Sequence, residues 1–311
     1  MPAGDGVSRQ VTVVEVGPRD GLQSETRPLD VDGKRQLIRR LAAAGLPVVE
    51  AGAMVSPRAV PQMANTEAVL AGLELSTPTR YPVLVPNGKG LQRALAAGVR
   101  EVAVFAAASD AFSRHNIGVD VHGSLERYRP VVRQALDAGC RVRGYVSCVM
   151  GCPLEGEVEP ARVLEVSRAM LDMGCGEISL GDTVGCGTPE KTRRLLDLLL
   201  DEVAVERLAV HFHDTWGLAL VNLHVALEMG VRIVDSSVAG LGGCPYAPGA
   251  SGNVATEDVL HLCHAMGLET GVDLQAVAET GRWVCEQLQR PYGSRVGQAL
   301  RARCDPETGR A

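Results

Sequence analysis

A (β/α)8 barrel with one additional C-terminal helix is the fold class this sequence predicts, and three observations predict it. A strand pattern followed by a helix pattern recurs eight times within about 260 residues, the count and size of such a barrel. Five of the helical segments end in nearly the same word: AAG at 43–45 and 96–98, DAG at 137–139, DMG at 172–174 and EMG at 228–230. Each places Gly where a helix end needs a left-handed residue, just before the next strand. Finally, the first strand runs into GPRDG (17–21), whereas the alternative, an open doubly wound sheet, calls for a GxGxxG turn at that point.

The elements follow in order. Residues 11–16 (VTVVEV) are β-branched and stop at Gly17-Pro18, the signature of a strand entering a loop. Over 30–44, Val31, Leu37, Ile38, Leu41 and Ala44 fall close to helical spacing, and Gly45 ends the run. The alternation then continues with strand 47–51 and helix 65–71, strand 81–85 and helix 90–97, and strand 101–106 and helix 125–138. Strand 142–146 precedes helix 160–173, and strand 177–180 precedes helix 189–203. Strand 208–212 precedes helix 219–229, and strand 233–238 precedes helix 256–266. The extra helix is predicted over 273–290, and 291–311 reads as poorly ordered. No linker interrupts the pattern, so 1–311 reads as a single catalytic domain with its core over about 11–290.

Composition narrows the function classes. With 311 residues, 46% of them hydrophobic, the chain buries a large core. A net charge of −6, from 31 basic and 37 acidic residues well mixed along the chain, argues against nucleic acid or an anionic membrane as partner. Aromatic residues make up 3%, too few for base-stacking platforms. The longest apolar run, 102–108, is far short of the roughly 18–20 residues that span a bilayer. The first ten residues lack a signal-peptide core, and nine cysteines occur without a CxxC pair, which predicts reduced thiols in a cytoplasmic protein.

Chemistry in such a barrel sits at the C-terminal ends of the strands. Reading those ends alone collects Glu15, Arg19 and Asp20, then Glu50, Asn87, Ser109, Ser147 and Cys148, then Asp182 and Thr183, and finally His211, His213 and Asp214. In LAVHFHDTWG (208–217), His211 and His213 are two apart in a strand and share a face, so two imidazole nitrogens can grip one ion. Asp20 supplies a carboxylate once strands one, seven and eight adjoin, and Asn253 an amide oxygen. Such donors suit a six-coordinate Mg²⁺ or Mn²⁺ better than zinc, because no thiolate is in the set. The loop 240–253 (GLGGCPYAPGASGN) has five Gly and two Pro and reads as a mobile lid. Cys244 inside it is either a passive exposed thiol or, beside a metal, a proton-transfer group.

Six stretches spread in order along the chain are similar to the 3-hydroxy-3-methylglutaryl-CoA lyases, divalent-metal barrel lyases that share an Asp-Arg-Glu triad. They are VEVGPRDGLQSE (14–25), VEAGAMVSPRAVPQMA (49–64), VSCVMGCPLEGEV (146–158), EISLGDTVGCGTP (177–189), VHFHDTWGLALVN (210–222) and GLGGCPYAPGASGNVATEDV (240–259). The resemblance implies catalytic roles for Arg19, Glu50, Glu15, Asp182 and Cys244, and metal ligation by Asp20, His211, His213 and Asn253. It also implies an acyl-CoA substrate, a place in leucine degradation, and a homodimer or larger homo-oligomer. The second-strand segment EAGAMVSP departs from the family's pattern, and so does Gly88 after Asn87, which bears on the acyl group accepted.

The implied chemistry is a retro-Claisen cleavage. It needs a deprotonated tertiary hydroxyl, a stabilised thioester enolate and a proton returned to carbon. Arg19 suits the enolate oxygen. The base is either Asp182 or a carboxylate–histidine relay. Lys89, Arg114 and Arg58 are candidates for the coenzyme A phosphates. The rival readings are a lyase for a longer 3-hydroxy-3-alkylglutaryl-CoA, a condensing enzyme or aldolase on the same barrel, and a non-enzymatic metal-binding scaffold.

Overall fold

The computed structural model describes residues 8–244 and 247–304, without the side chains of 244, 247–251, 303 and 304. Its frame is a curled sheet of nine parallel strands flanked by helices, a TIM-barrel-like arrangement. The strands are β1 Thr12–Glu15, β2 Val48–Val49, β3 Gly52–Ala53, β4 Val83–Leu84, β5 Glu101–Ala107, β6 Arg141–Ser147, β7 Glu177–Asp182, β8 Leu208–Phe212 and β9 Ile233–Ser236. Their spatial order is β2-β1-β9-β8-β7-β6-β5-β4-β3. The two ends of that order are successive pieces of one extended segment, in which Glu50 N donates to Glu15 O and Ala51 N to Pro82 O, both at 2.9 Å. The strand expected over 47–51 is thus split around Glu50. A separate antiparallel hairpin joins β10 Gly243–Cys244 to β11 Ala247–Ser251.

Helices α1 Val31–Ala43, α2 Thr66–Ala71 and α3 Gly88–Ala96 follow the first three strand positions. Next come α4 Asp110–Ile117, α5 Val121–Asp137, α6 Pro160–Asp172, α7 Pro189–Leu200, α8 Ala219–Glu228 and α9 Thr256–Ala265. In α1 the helical spacing buries Leu37, Ile38 and Leu41 against the sheet, and Asp30 caps its first turn by accepting from Gly33 N at 2.7 Å. All five glycines that close the AAG, DAG, DMG and EMG words are left-handed, with φ of 92° at Gly45, 80° at Gly98, 76° at Gly139, 106° at Gly174 and 97° at Gly230. A side chain at those angles is strained, so the repeated Gly is the stop signal that sends each helix back to the sheet.

Two helices go beyond the expected elements. Residues 110–117, between the expected strand 101–106 and helix 125–138, form α4: Ser109 caps it by accepting from Phe112 N at 3.0 Å, and Gly118 ends it at φ 74°. Its eight residues are too short and too polar to show an apolar stripe, so the caps are its signal. The expected extra helix is α10 Leu274–Leu288, but part of the segment read as poorly ordered forms a further helix, α11 Arg295–Cys304. Asp258 on α9 orders its start, accepting from Ser294 Oγ at 2.7 Å and Val296 N at 2.9 Å. That partner is 36 residues away in sequence.

Candidate metal centre

The loop after β1 begins with a wide turn in which Gly21 N donates back to Val16 O at 3.2 Å. The turn sets Arg19 and Asp20 side by side at the strand's C-terminal end. His211 on β8 and His213 just past its end keep the period-two spacing, their ring centroids 5.4 Å apart. One ligand atom each from Asp20, His211 and His213 lies within 4.8 Å of the others. Both histidines are 9% exposed. Burial, then His211, pulls the His213 pKa down to about 4, so the ring is neutral and keeps a nitrogen lone pair. Burial pushes the Asp20 carboxyl up, but Arg19 and the two histidines outweigh it and hold it well below the usual carboxylate range.

Three features fit these residues to a cation. His213 Nδ1 is buried without a hydrogen-bond partner among the described residues, while the ring also bonds to the Thr183 backbone. His211 Nδ1 sits 3.2 Å from Asp235 Oδ2, leaving Nε2 on the side of Asp20, 3.9 Å from its Oδ2. A carboxylate on the far nitrogen is the usual way a ligating imidazole is oriented. The set is also mixed nitrogen and oxygen with no thiolate, so it does not select soft, thiophilic ions. Asn253 is beside it, joined to His213 by a backbone bridge, and donates its amide nitrogen to Asp20 Oδ2 at 2.9 Å and to Leu241 O at 3.1 Å.

Arg19 is clamped by Glu50, Nε to Oε2 at 2.7 Å, and by Asp20, Nη1 to Oδ1 at 2.5 Å. Its Nη2 makes no hydrogen bond among the described residues. The guanidinium lies over the Tyr145 ring, 5.3 Å from the centroid. Behind the site runs a buried network that the strand-end reading missed. Arg143 donates to both oxygens of Asp235 at 3.1 and 2.6 Å, to Glu177 at 2.5 Å and to the Tyr145 hydroxyl at 2.9 Å. Ser179 Oγ also donates to Asp235 at 2.8 Å. Burial raises the Asp235 carboxyl, but Arg143 and His211 together bring it below its ordinary value, so it faces His211 as an anion. Arg143 and Tyr145 alternate with Ser147 on β6, and this period-two polar face in a buried strand was the available signal.

The remaining candidates are placed differently. Glu15 accepts from Gly17 N at 2.8 Å, Val238 N at 2.9 Å and Thr256 Oγ1 at 2.7 Å, and no hydrogen bond joins it to Arg19, Asp20 or the histidines. Both Asp182 oxygens are turned into its own loop, accepting from Cys186 N at 3.1 Å and Gly187 N at 2.8 Å. The Cys244 side chain lies outside the described residues. Asn87 caps α3, and Asp214 accepts from Ala219 N at the start of α8. Arg19, Asp20, His211, His213 and Tyr145 line a cavity of about 340 Å³ whose lining also includes Val55, Val60, Leu84, Phe105 and Phe112. Arg58, Lys89 and Arg114 are not among its lining residues.

Comparison with known proteins agrees with this geometry. The chain is 57% identical over 293 residues to the hydroxymethylglutaryl-CoA lyase of Pseudomonas mevalonii, covering 94% of this chain and 97% of that one. It is 52% identical over 295 residues to the 3-hydroxy-3-isohexenylglutaryl-CoA/hydroxy-methylglutaryl-CoA lyase of Pseudomonas aeruginosa, covering 95% and 98%. A crystal structure of hydroxymethylglutaryl-CoA lyase from Pseudomonas aeruginosa superposes with a TM-score of 0.94 at 52% identity over 96% of this chain and 99% of that one. The family model described as HMGL-like matches residues 10–284, and the chain belongs to that family.

Proposed function

We infer that this chain is a carbon–carbon lyase cleaving 3-hydroxy-3-methylglutaryl-CoA to acetyl-CoA and acetoacetate. The observation that carries the reading is the convergence of Asp20, His211 and His213 beside Arg19 in the lining of one cavity, in a chain of this family. In the reaction the C2–C3 bond breaks and its electron pair stays with the thioester as an enolate. The C3 hydroxyl loses its proton and becomes the ketone of acetoacetate, and the enolate carbon takes up a proton to give acetyl-CoA.

Asp20, His211 and His213 would hold a divalent cation, Mg²⁺ or Mn²⁺, with Asn253 fixing the Asp20 carboxylate. When bound, that cation supplies Lewis-acid polarisation of substrate oxygens. Arg19 offers its uncommitted Nη2 to the thioester oxygen where negative charge develops, and Glu50 and Asp20 hold the guanidinium in that orientation. Asp20 is the one carboxylate among the described lining residues, and Arg19 and Asn253 hold it ionised as a cation ligand, so the hydroxyl proton passes to solvent water in the cavity. Asp182, with both oxygens committed to backbone N–H groups, holds the 183–187 turn, and Glu15 braces the turn after β9. Cys244 returns the proton to carbon.

The same reading makes the sheet a closed (β/α)8 barrel, with 48–53 counted as one strand, in a single-domain homo-oligomer that acts in leucine degradation. A cytoplasmic location agrees with the seven free cysteines among the described residues. No helix among those residues is long and apolar enough to cross a membrane.

The test is to incubate the purified protein with 3-hydroxy-3-methylglutaryl-CoA, with Mg²⁺ or with EDTA, and follow both products. Equal amounts of acetyl-CoA and acetoacetate with metal, and neither with EDTA, are expected. A folded, metal-loaded protein that forms neither overturns the reading. The apolar lining residues Val55, Val60, Leu84, Phe105 and Phe112, with the naming of the Pseudomonas aeruginosa relative, favour a second substrate with a longer 3-alkyl group. Comparing kcat/KM for the methyl and isohexenyl thioesters decides between them.

A further inference from the structure

Before the β10–β11 hairpin the chain makes a tight turn over 238–242 that packs on the metal centre. Leu241 O accepts from Asn253 Nδ2 at 3.1 Å, and the same amide donates to Asp20. Gly242 lies so close that a Cβ there would stand 2.8 Å from Asn253 Nδ2 and 3.4 Å from Gly21 Cα. Ala239 is left-handed at φ 58°, a conformation that a residue with a Cβ keeps only when its surroundings impose it.

The surroundings come from the far end of the chain. Ala239 N donates to both oxygens of Glu257, at 3.1 and 3.0 Å, and Tyr292 Oη donates to Glu257 at 2.7 Å. Gly293 passes so near that a Cβ would stand 2.6 Å from Ala239 O. At the other end of the turn, Gly242 N donates to Glu25 Oε1 at 3.2 Å, and that oxygen also receives Arg290 Nη1. The Glu25 and Arg290 side chains are only 13% and 23% exposed.

We propose that Arg290 is a positioning residue for the reaction: through Glu25 it pins the Gly242 amide, and with it the turn that holds Asn253 against Asp20 and launches the hairpin. The physical reason is charge. A largely buried carboxylate that loses its cation moves toward water, and Glu25 then releases Gly242. Misplacement by about 1 Å near a reacting centre can cost up to about 100-fold in rate. The effect on turnover rests on the lyase reading, whereas the effect on the turn does not.

The experiment uses the full chain and three readouts. In Arg290→Met, amide hydrogen exchange over 239–243 rises at least about tenfold while the sheet stays protected. The kcat for 3-hydroxy-3-methylglutaryl-CoA falls about tenfold or more, with KM within about threefold. Arg290→Lys restores most of both, because it returns the charge. Unchanged exchange over 239–243, or exchange that rises uniformly along the chain, overturns the proposal, as does unchanged kcat in an active enzyme. If the unmodified protein cleaves nothing, the lyase reading fails and the exchange measurement still decides whether Arg290 pins the turn.

Discussion

Asp235 accepts from both arms of Arg143 and from Ser179, and its Oδ2 stands 3.2 Å from His211 Nδ1. It is not among the residues that line the cavity, yet it sets which imidazole nitrogen faces Asp20. Asp235→Asn removes the anion while keeping the shape, and Arg143 keeps Glu177 as a counter-charge at 2.5 Å. The expected result is a Kd for Mn²⁺ weakened about 10- to 100-fold in a protein that still folds. An unchanged Mn²⁺ titration would remove Asp235 from this role. At this scale His211, His213, Arg19 and Asp20 were legible because strand periodicity and a GPRDG turn place them without help from distant residues. Asp235, Arg143 and Tyr145 were not, since a polar residue in mid-strand shows its purpose only when the sheet curls and brings its partner across, 92 residues away for Arg143 and Asp235.

The elements repeat one device: a helix that stops on a left-handed glycine. What each glycine tolerates differs with its neighbours. Gly139 and Gly45 are both left-handed, at φ 76° and 92°. A Cβ on Gly139 meets nothing within 4 Å, but one on Gly45 would stand 2.8 Å from Gly271 O. Gly139→Ala should therefore cost about 1–2 kcal/mol, the left-handed penalty alone, and Gly45→Ala measurably more. Urea unfolding of the two variants checks this, and equal losses would mean that the backbone near Gly271 gives way freely. Asp30 and Asn87 cap their helices, which apolar spacing alone does not show: the periodic run takes in residue 30, and Asn87 reads as a strand-end candidate. Helix α4 escaped because eight residues give two turns, too few for a periodic apolar face to stand out, and α11 because its start is ordered by Asp258 on another helix.

For the molecule as a whole, two buried carboxyls set a pH dependence of stability. Burial pushes Glu15 up to about 7 and Glu257 to about 8, against an ordinary value of 4.5. Both keep a proton in the folded chain over a range in which the unfolded chain has lost it. The folded state then binds more protons, so their contribution is fully present below about pH 4.5 and fades as the pH rises through 7 to 8. Glu257→Gln imitates the protonated group and should narrow the gap between urea midpoints at pH 5 and pH 8, by at most about 1.4 kcal/mol per pH unit. A gap of the same width would show that Glu257 titrates alike in both states.

The sequence by itself determined the alternation of strand and helix, the glycine stops, and the side chains that stand at the strand ends. Each of these follows from local rules of backbone geometry and side-chain spacing. Only the tertiary structure decided what Glu15 and Asp182 hold, that Arg143 and Asp235 stand behind His211, and that the segment from Arg290 to Gly293 packs against the turn beside Asn253. These depend on which buried charge meets which partner once the sheet has curled. That pairing is imposed by the cost of leaving a charge or a polar group unmatched away from water, and no local pattern encodes it.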